Sequence, residues 1–374
     1  MTDHIAVIGG SASGLLAALR LAEAGKSVQV FERSRQLDPE PRTLIVTGRM
    51  RDYLGELGSS SVVNEIRRFE LFANGKVATI ELGEPDLIVE RSALIRELTK
   101  EVDEAGIETN WGRTLTGMHA IDAGVRLGFG SNGHTETFDA TTVIGADGAS
   151  SAVARAGEWS EQPTVPLVQA IVKLPEDLPP DTSRVWFRPQ DTPYFYWLIP
   201  ESESHGALGV IGDNPAKTRA RLDAFLEEKG LEPTEYQAAR IPRYRRWVPV
   251  HKKIGAADVF LVGDAAGQVK VSTVGGLVTG FRGALGVVEK ILHGRSKHLR
   301  SLKLELESHR LVRRVIHSFN EEDYCRLIDL LNDRTVTSLR RHTRDEAPAV
   351  LWKVALAQPR LLPITVRKLI SAGS

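Results

Sequence analysis

The feature that most constrains this 374-residue chain is a glycine-punctuated stretch near its start, "HIAVIGGSASGLLAALRLAEAGKSVQVFERS", residues 4–34. Residues 5–8 form a short apolar run, which is typical of a strand buried on both faces. Three glycines then mark a turn into a helix: Gly9, Gly10 and Gly14. The helix is predicted to end at Gly25, and residues 27–31 form a second strand. This order predicts a strand–helix–strand unit.

An acidic residue at the end of the second strand makes this unit a predicted dinucleotide site. Glu32 lies 23 positions after Gly9, where a carboxylate can accept hydrogen bonds from an adenosine ribose. Ser11 replaces the middle glycine of the G-x-G-x-x-G pattern, but its Cβ is small and its hydroxyl can donate to a phosphate oxygen. We expect the dinucleotide to contact Gly9, Gly10, Ser11, Ala12, Ser13, Gly14, Glu32 and Arg33. The alternative is a purely structural strand–helix–strand unit.

Two later stretches carry further candidate cofactor residues. "TTVIGADGASSAVAR", residues 141–155, runs from a buried strand into Asp147 and Gly148, and residues 258–285 run from another strand into Gly263 and Asp264. An Asp at a strand end can accept a hydrogen bond from a ribityl hydroxyl, and amides before a helix can face an isoalloxazine edge. The second stretch offers such amides at Gly275, Gly276 and Leu277. Each stretch alone could equally be an ordinary tight turn.

Together the three stretches resemble the flavin-dependent oxidoreductases that share the glutathione-reductase-type FAD fold. The glycine loop, the "DG" motif and the "GD" motif occur in the usual order and span most of the chain. "VERSALIREL" is similar to that group's R-x-x-L-x-x-x-L helix start, which implies that Arg91 lies near the flavin. The implied cofactor is FAD. Because no second G-x-G-x-x-G unit follows, NAD(P)H would bind transiently, or electrons would come from a protein reductant.

Alternating segments between the DG and GD motifs predict an antiparallel sheet. "LVQAIVKL", "SRVWFRP", "YFYWLIP" and "HGALGVIG" alternate with period two and are rich in aromatic and β-branched residues. One face of such a sheet would pack on the core, and the other could cover the flavin. Phe195 and Trp197, in the densest aromatic patch, are predicted to line the resulting cavity. The alternative is that they are ordinary sheet core.

The aromatic patch resembles the Y-x-W-x-F-P signature of the geranylgeranyl reductase family, with Phe195, Trp197, Ile199 and Pro200 at the matching positions. "GDAAGQVK" and the helical tail are also similar to that family. The resemblance implies an FAD enzyme that saturates carbon–carbon double bonds of an isoprenoid lipid, with Phe195, Trp197 and Pro200 contacting the substrate. Reduced flavin would deliver a hydride, and the candidate proton donors are Tyr194, Tyr196 or a water molecule.

Three features differ from the family pattern. Arg42, expected near the flavin, is followed by Thr43 where the family often has cysteine. Val271 and Val274 replace the proline and glycine that are usual in the GD loop. Phe195 lacks the hydroxyl of the signature tyrosine. The substrate class is therefore less constrained than the cofactor.

Other functions remain open on the same fold. An FAD-dependent monooxygenase would hydroxylate an apolar or aromatic small molecule in the same cavity. Flavin-dependent halogenases carry W-x-W-x-I-P, which the patch also matches, but they need a lysine on a strand, whereas Lys76 follows Asn-Gly and is predicted to lie in a hairpin turn. A non-catalytic flavin-binding or electron-transfer protein is the third alternative.

Composition excludes several classes of protein. Lys and Arg together number 48, as do Asp and Glu, so there is no broad positive field and nucleic acid is not an expected partner. The single cysteine, Cys325, excludes an internal disulfide and a multi-cysteine metal site, and no metal is expected. Without an apolar leader or a run of about 18 apolar residues, the protein is expected in the cytoplasm, with contact at a membrane surface left open.

These patterns predict an α/β chain, α+β overall, with three parts. Residues 1–160 and 250–295 would form a Rossmann-like, three-layer FAD-binding lobe. Residues 60–90 and 161–249 would form an antiparallel-sheet, substrate-binding domain. Residues 296–374 would form a helical C-terminal region.

The tail of the chain, residues 349–374, has two interpretations: reversible binding to an anionic membrane surface, or helices that close the substrate domain and expose a basic face to solvent. It carries Lys353, Arg360, Arg367 and Lys368 without an acidic residue, among leucines and Trp352. Each cation near an anionic leaflet contributes roughly 1 kcal/mol of attraction. We expect the protein to sediment with anionic vesicles at low salt, and changing Arg360, Arg367 and Lys368 together to Gln to weaken sedimentation without loss of FAD. A wild-type protein that ignores such vesicles at low salt would show that the tail only packs on the protein.

Overall fold

The computed structural model describes residues 4–131 and 134–331, so the basic tail lies outside the described residues. The strands are β1 (His4–Ile8), β2 (Ser27–Glu32), β3 (Thr43–Val46), β4 (Val62–Ala73), β5 (Lys76–Glu90), β6 (Glu108–Trp111), β7 (Thr114–Ile121), β8 (Gly124–Ser131), β9 (His134–Ala140), β10 (Thr142–Gly145), β11 (Thr164–Lys173), β12 (Thr182–Trp186), β13 (Tyr196–Pro200), β14 (His205–Ile211), β15 (Pro233–Pro242), β16 (His251–Ile254) and β17 (Ala257–Leu261). The helices are α1 (Ala12–Glu23), α2 (Met50–Leu54), α3 (Arg91–Glu104), α4 (Ala152–Ala156), α5 (Pro215–Lys229), α6 (Leu277–His293), α7 (Lys297–His317) and α8 (Glu321–Leu330).

A six-stranded sheet forms the centre of the first lobe, in the order β16-β17-β10-β1-β2-β6. Its strands are parallel except for β16, which pairs antiparallel with β17. Alternate residues of β1 enter two different cores: Ile5 and Val7 pack with helices α1, α3 and α6, while Ala6 and Ile8 pack with the three-stranded sheet β7–β9. Burial on both faces explains the uninterrupted apolar run. The three-layer lobe predicted from the sequence is confirmed.

Two glycines fix the turn between β1 and α1. Gly9 has a φ of 107°, and a Cβ there would lie 2.6 Å from the carbonyl oxygen of Ala146. A Cβ on Gly14 would lie 2.5 Å from the carbonyl oxygen of Gly9. Ser11 has an ordinary extended backbone, with φ −78°, and its hydroxyl accepts a hydrogen bond from the Gly14 amide as the N-cap of α1. The middle position therefore does not require glycine.

An eight-stranded sheet forms the second part, in the order β15-β11-β14-β13-β12-β4-β5-β3. Its pairs are antiparallel except β12 with β4, where a later segment joins the edge of the early hairpin β4–β5. Along β13, Tyr196 and Leu198 pack against α5, whereas Trp197 and Ile199 belong to a cluster on the other face. One face of the sheet is thus covered by a helix, and the other is available to form a cavity.

The turn of the β4–β5 hairpin is formed by Asn74 and Gly75, which both have positive φ, 44° and 76°. Lys76 lies directly after this turn and forms an ion pair with Asp329 of α8. The hairpin predicted from the Asn-Gly pair is confirmed. The ammonium group of Lys76 is therefore paired with a carboxylate of α8.

The last described helices join the two parts. Helix α6 packs against α1, α7 packs against α6, and α8 contacts β4 and β5. Arg282 of α6 and Glu305 of α7 form a largely buried ion pair. None of the helices in the described ranges is both long and apolar enough to cross a membrane.

Candidate active site

A cavity of about 570 Å³ lies between the parallel-sheet lobe and the open face of the eight-stranded sheet. At one end it is lined by the turns that follow β1, β10 and β17, and by two arginines: Ser11, Ala12, Ser13, Ala146, Gly148, Gly263, Asp264, Gly275, Gly276, Leu277, Arg42 and Arg91. The carboxyl ends of parallel strands meet at this edge of the sheet, which is where open α/β sheets bind ligands. The cavity therefore begins at the predicted cofactor residues.

The carboxylate of Glu32, the last residue of β2, holds the loop that follows β1. Glu32 Oε2 accepts a hydrogen bond from the Gly10 amide at 2.7 Å, and Oε1 accepts one from the Ser34 amide at 2.8 Å. A Cβ on Gly10 would lie 3.3 Å from Glu32 Oε2, so the glycine permits this close approach. Gly9, Gly10, Gly14 and Glu32 position the loop without lining the cavity, and Arg33 is exposed to solvent.

The turn after β10 holds a half-satisfied aspartate. Asp147 Oδ2 accepts hydrogen bonds from the amides of Ala152 and Val153, at 2.6 and 3.2 Å, at the start of α4. Its Oδ1 is buried and has no hydrogen-bond partner among the described residues. Gly148, with φ 80°, lines the cavity beside it. A buried acceptor without a partner is costly, so Asp147 is suited to a ligand hydroxyl.

Three charged side chains surround the same end of the cavity. Removal from water raises the pKa of Asp264, and the positive charges of Arg42 and Arg91 oppose this rise. Burial, followed by the charge of Arg91, lowers the pKa of Arg42. The buried Nε of Arg42 has no hydrogen-bond partner among the described residues. These two arginines favour a ligand with hydrogen-bond acceptors or negative charge.

The loop between Gly267 and α6 is strained. Val274 donates its amide to the Lys270 carbonyl at 2.7 Å, and Lys270 donates to the Gly275 carbonyl at 3.1 Å. This closed loop holds Val274 at φ 56°, a left-handed conformation that is rare for a β-branched residue and costs about 1–3 kcal/mol. Gly276 lies close to Asp264, because a Cβ there would be 3.2 Å from Asp264 Oδ1. Strain of this kind typically occurs at functional sites.

The remainder of the cavity is mainly apolar. The open sheet face contributes Phe69, Leu71, Ile80, Leu82, Leu167, Val185, Phe195, Trp197, Ile199, Ile211 and Ile241, and α7 contributes Val312, Arg313 and Ile316. Phe195 and Trp197 meet edge to face at 6.0 Å between ring centroids. The indole Nε1 of Trp197 is buried and has no hydrogen-bond partner in the described part of the chain. Pro200 ends β13 and lies outside the lining.

Neither candidate tyrosine lines the cavity. Tyr196 stacks on Phe225 of α5 at 4.2 Å, on the covered face of the sheet. Tyr194 is buried under the guanidinium of Arg313, whose carbon lies 3.8 Å from the ring centroid. Burial raises the pKa of both phenols. This placement separates both hydroxyls from the cavity, so a proton donor has to be sought among other residues.

Two polar pairs at the cavity have no signal in the sequence. Ser272 lines the cavity and its Oγ lies 2.6 Å from Nδ1 of His309, which is fully buried in α7. Thr43 also lines the cavity, and its hydroxyl donates to Glu201. The partners are 37 and 158 positions apart, so no local motif connects them. Only the fold brings them together.

The residues at the cofactor end fit FAD. The unpaired Asp147 Oδ1 and Arg42 Nε, the glycines in the cavity lining and the carboxylate of Glu32 at the end of β2 are the groups that suit a ribityl chain, an isoalloxazine and a ribose. Fold and site together define an FAD-dependent oxidoreductase. Residues 2–298 match the model of the FAD binding domain family, and the chain belongs to that family. The FAD cofactor predicted from the sequence is thus confirmed, whereas the contact made by each residue stays a prediction.

Known proteins resemble this chain in amino-acid sequence and in fold. The digeranylgeranylglycerophospholipid reductase of Methanosarcina acetivorans is 28% identical over 299 residues, which cover 73% of this chain and 71% of that protein. The crystal structure of a geranylgeranyl bacteriochlorophyll reductase-like protein from Thermoplasma acidophilum covers 99% of both chains, with a TM-score of 0.77 and 17% identity. A p-nitrophenol 4-monooxygenase from Pseudomonas putida covers 99% of this chain and 97% of its own, with a TM-score of 0.65 and 17% identity. The two structures show a shared fold.

Glu32 and Ser11 are predicted to differ in their importance for FAD binding. Glu32→Ala should weaken FAD binding about 10- to 100-fold, because a charged acceptor is lost. Ser11→Gly should retain FAD, since glycine at an N-cap costs only a few tenths of a kcal/mol. Flavin fluorescence titration of the apoprotein measures both affinities. Glu23→Ala, an exposed carboxylate on α1, is the control, and an unchanged affinity in Glu32→Ala contradicts the prediction.

Proposed function

We propose that this protein reduces carbon–carbon double bonds of an isoprenoid lipid or a related apolar molecule. The observation that supports this most strongly is the composition of this cavity: residues predicted to bind the flavin line one end, and mainly aliphatic and aromatic side chains line the rest. An elongated apolar molecule can therefore lie against the cofactor. The Methanosarcina relative is named as a reductase of an isoprenoid lipid, in agreement with this proposal.

The protein's own part in the reaction is mainly to bind, orient and exclude water. FAD, once reduced, supplies a hydride. The aromatic wall of Phe195 and Trp197 would hold an alkene in one orientation, which lowers the entropic part of the barrier. The apolar lining keeps water away from the reacting carbons. The electron donor that reduces the flavin is proposed to be NAD(P)H bound transiently or a protein reductant.

Arg313 gives the apolar end one positive charge. Its Nη2 donates a hydrogen bond to the Pro193 carbonyl at 2.7 Å, and its guanidinium lies over Tyr194. Burial is the main reason that the pKa of Arg313 is lowered. A buried cation in the cavity wall favours a substrate that carries an acceptor or an anionic group at one end. This charge supports an amphipathic lipid over a pure hydrocarbon.

Hydroxylation of an apolar or aromatic molecule is the second candidate. The same cavity could hold a compact aromatic ring, and the fold is shared with the Pseudomonas monooxygenase. The two proposals differ in the electron acceptor: the alkene itself in one case and molecular oxygen in the other. Experiments without oxygen therefore separate them.

Anaerobic reoxidation of the flavin tests the proposed reduction. The purified protein is reduced without oxygen, a geranylgeranyl lipid is added, and the flavin absorbance band is followed. We expect the band to return, because the alkene accepts the electrons, and the product to gain two hydrogen atoms per bond by mass spectrometry. A band that returns only when oxygen is admitted, together with a hydroxylated product, favours the monooxygenase.

Trp197 is expected to serve the substrate and not the cofactor. Trp197→Ala should lower kcat/KM for a long apolar substrate roughly 100-fold, since orientation is lost, while FAD affinity stays within about twofold of wild type. Trp186→Ala is the matched control, because Trp186 packs against the α5 face of the same sheet. Equal losses of turnover and FAD binding in Trp197→Ala would identify the residue as fold core.

A further inference from the structure

Thr43 is held rigidly at the wall of the cavity by a buried amide network. Its amide donates to Gln237 Oε1 at 3.2 Å, and its carbonyl accepts from Gln169 Nε2, also at 3.2 Å. The same Gln169 Nε2 donates to Gln237 Oε1 at 2.7 Å. All three residues are at least nine-tenths buried. The backbone of Thr43 is therefore fixed from both sides, and its hydroxyl has a defined position.

The hydroxyl of Thr43 connects the cavity to a carboxyl group behind it. Thr43 lines the cavity, and its Oγ1 is hydrogen-bonded to Glu201 Oε1; Thr43 donates in this contact when Glu201 is a carboxylate and accepts when Glu201 carries the proton. Glu201 directly follows β13 and is absent from the cavity lining. A hydroxyl both donates and accepts, so it can pass a proton from a carboxylic acid to an acceptor on its other side. The carboxyl group itself stays out of the apolar space.

The surroundings of Glu201 keep its proton available near neutral pH. Burial, and then the negative charges of Glu235 and Glu90, raise the pKa of Glu201 to about 7. Burial raises the pKa of Glu90, but hydrogen bonds from Ser92, Ala93 and the Arg42 amide outweigh burial and lower this pKa overall, which favours the carboxylate. A general acid is most effective when its pKa lies close to the working pH.

The amide network that holds Thr43 extends to a surface carboxylate. Glu235 is exposed, and its Oε1 accepts a hydrogen bond from Gln237 Nε2 at 3.1 Å. Gln237 in turn contacts the Thr43 amide. Glu235 is thus the exposed carboxylate of this network. Its negative charge contributes to the raised pKa of Glu201.

We propose that the Thr43 hydroxyl donates the proton that completes double-bond reduction and that Glu201 resupplies it. This proposal depends on the proposed function. One alkene carbon gains a hydride from reduced FAD, the π bond breaks, and the other carbon takes the hydroxyl proton of Thr43. Thr43 takes the proton of Glu201, which becomes a carboxylate and is reprotonated from solvent, to which it is partly exposed. The alkene gains two electrons and two hydrogens, and the flavin loses two electrons.

Ser272 and His309 are an alternative to Thr43 and Glu201 as proton donors at the cavity. Both pairs place a hydroxyl in the lining, but the loop that carries Ser272 lies beside the cofactor end, whereas Thr43 lies where the cofactor end meets the open sheet face. The two pairs can be separated by substitution. Thr43→Val, Glu201→Gln and Ser272→Ala each remove one link and keep the approximate side-chain shape.

The pH dependence of anaerobic reoxidation tests the relay. A geranylgeranyl lipid is mixed with reduced enzyme in a stopped-flow instrument between pH 5 and 9. We expect the wild-type rate to be constant below pH 7 and to fall about tenfold per pH unit above it, because only protonated Glu201 donates. Glu201→Gln should be about 100- to 10,000-fold slower, the range typical for removal of a general acid, and its pH profile should lose the inflection. Glu203→Gln, an exposed neighbour, should keep both.

Thr43 variants separate proton transfer from support of the fold. Thr43→Val should slow flavin reoxidation about as much as Glu201→Gln does. Thr43→Ser, which keeps the hydroxyl, should retain most of the wild-type rate. FAD affinity and the rate of flavin reduction by dithionite should be unchanged in both. If Ser272→Ala slows flavin reoxidation and abolishes the inflection of the pH profile while Thr43→Val changes neither, the assignment to Thr43 is overturned.

Thermal unfolding gives a readout that does not depend on activity. The folded-state pKa of Glu201 lies above its usual value of 4.5, so wild-type stability falls as pH rises from about 4.5 to 7. Glu201→Gln lacks this loss, and its midpoint should rise relative to wild type between pH 5 and 8, whereas that of Glu203→Gln should not. If the difference in unfolding midpoint between Glu201→Gln and wild type stays the same from pH 5 to 8, Glu201 holds no proton near neutral pH, and the relay is overturned.

The outcomes for the two proposals differ. A wild-type enzyme that the lipid does not reoxidise overturns the proposed function and the relay with it. A wild-type enzyme that is reoxidised, at a rate that Glu201→Gln and Thr43→Val leave unchanged, overturns the relay alone.

Discussion

The close backbone contact between the β1–α1 turn and the end of β10 is the constraint on which the site depends. Side chains are excluded there, because a Cβ on Gly9 would meet the Ala146 carbonyl at 2.6 Å and one on Gly14 would meet the Gly9 carbonyl at 2.5 Å. The start of α1 therefore lies directly beside Asp147 and Gly148. With the turn after β17 next to them, the groups that fit a dinucleotide meet at one sheet edge.

The second constraint is the period of two along the strands of the eight-stranded sheet. Tyr196 and Leu198 face α5, and Trp197 and Ile199 face the cavity, so one strand supplies both a core and a binding wall. The strained loop at Val274 closes the same cavity from the cofactor side. The predicted cofactor residues and the apolar side chains therefore line one cavity, although they come from distant parts of the chain.

Glycine patterns, apolar runs and alternation were sufficient to predict the three-layer lobe, the hairpin at Asn74 and the cavity-facing side of Trp197. Side-chain direction follows from the same alternation, which places Tyr196 opposite to Trp197 and away from the cavity. Ser11 was compatible with the loop because its backbone is extended and its hydroxyl caps α1, which depends on three-dimensional geometry. The Thr43–Glu201 contact joins residues 158 positions apart, and no local pattern encodes it.

An apolar cavity and a protonation step make opposite demands on the same space. Reduction of an alkene needs a dry site for orientation, yet it consumes a proton that an aliphatic wall cannot supply. A hydroxyl in the lining with its carboxyl partner behind the wall meets both demands, because a neutral threonine admits little water while the charge stays outside. Burial, and then the negative charges of Glu235 and Glu90 outside the cavity, raise the pKa of Glu201 to about 7. If the proposed reduction takes place, this requirement accounts for the buried polar network beside a mainly apolar wall.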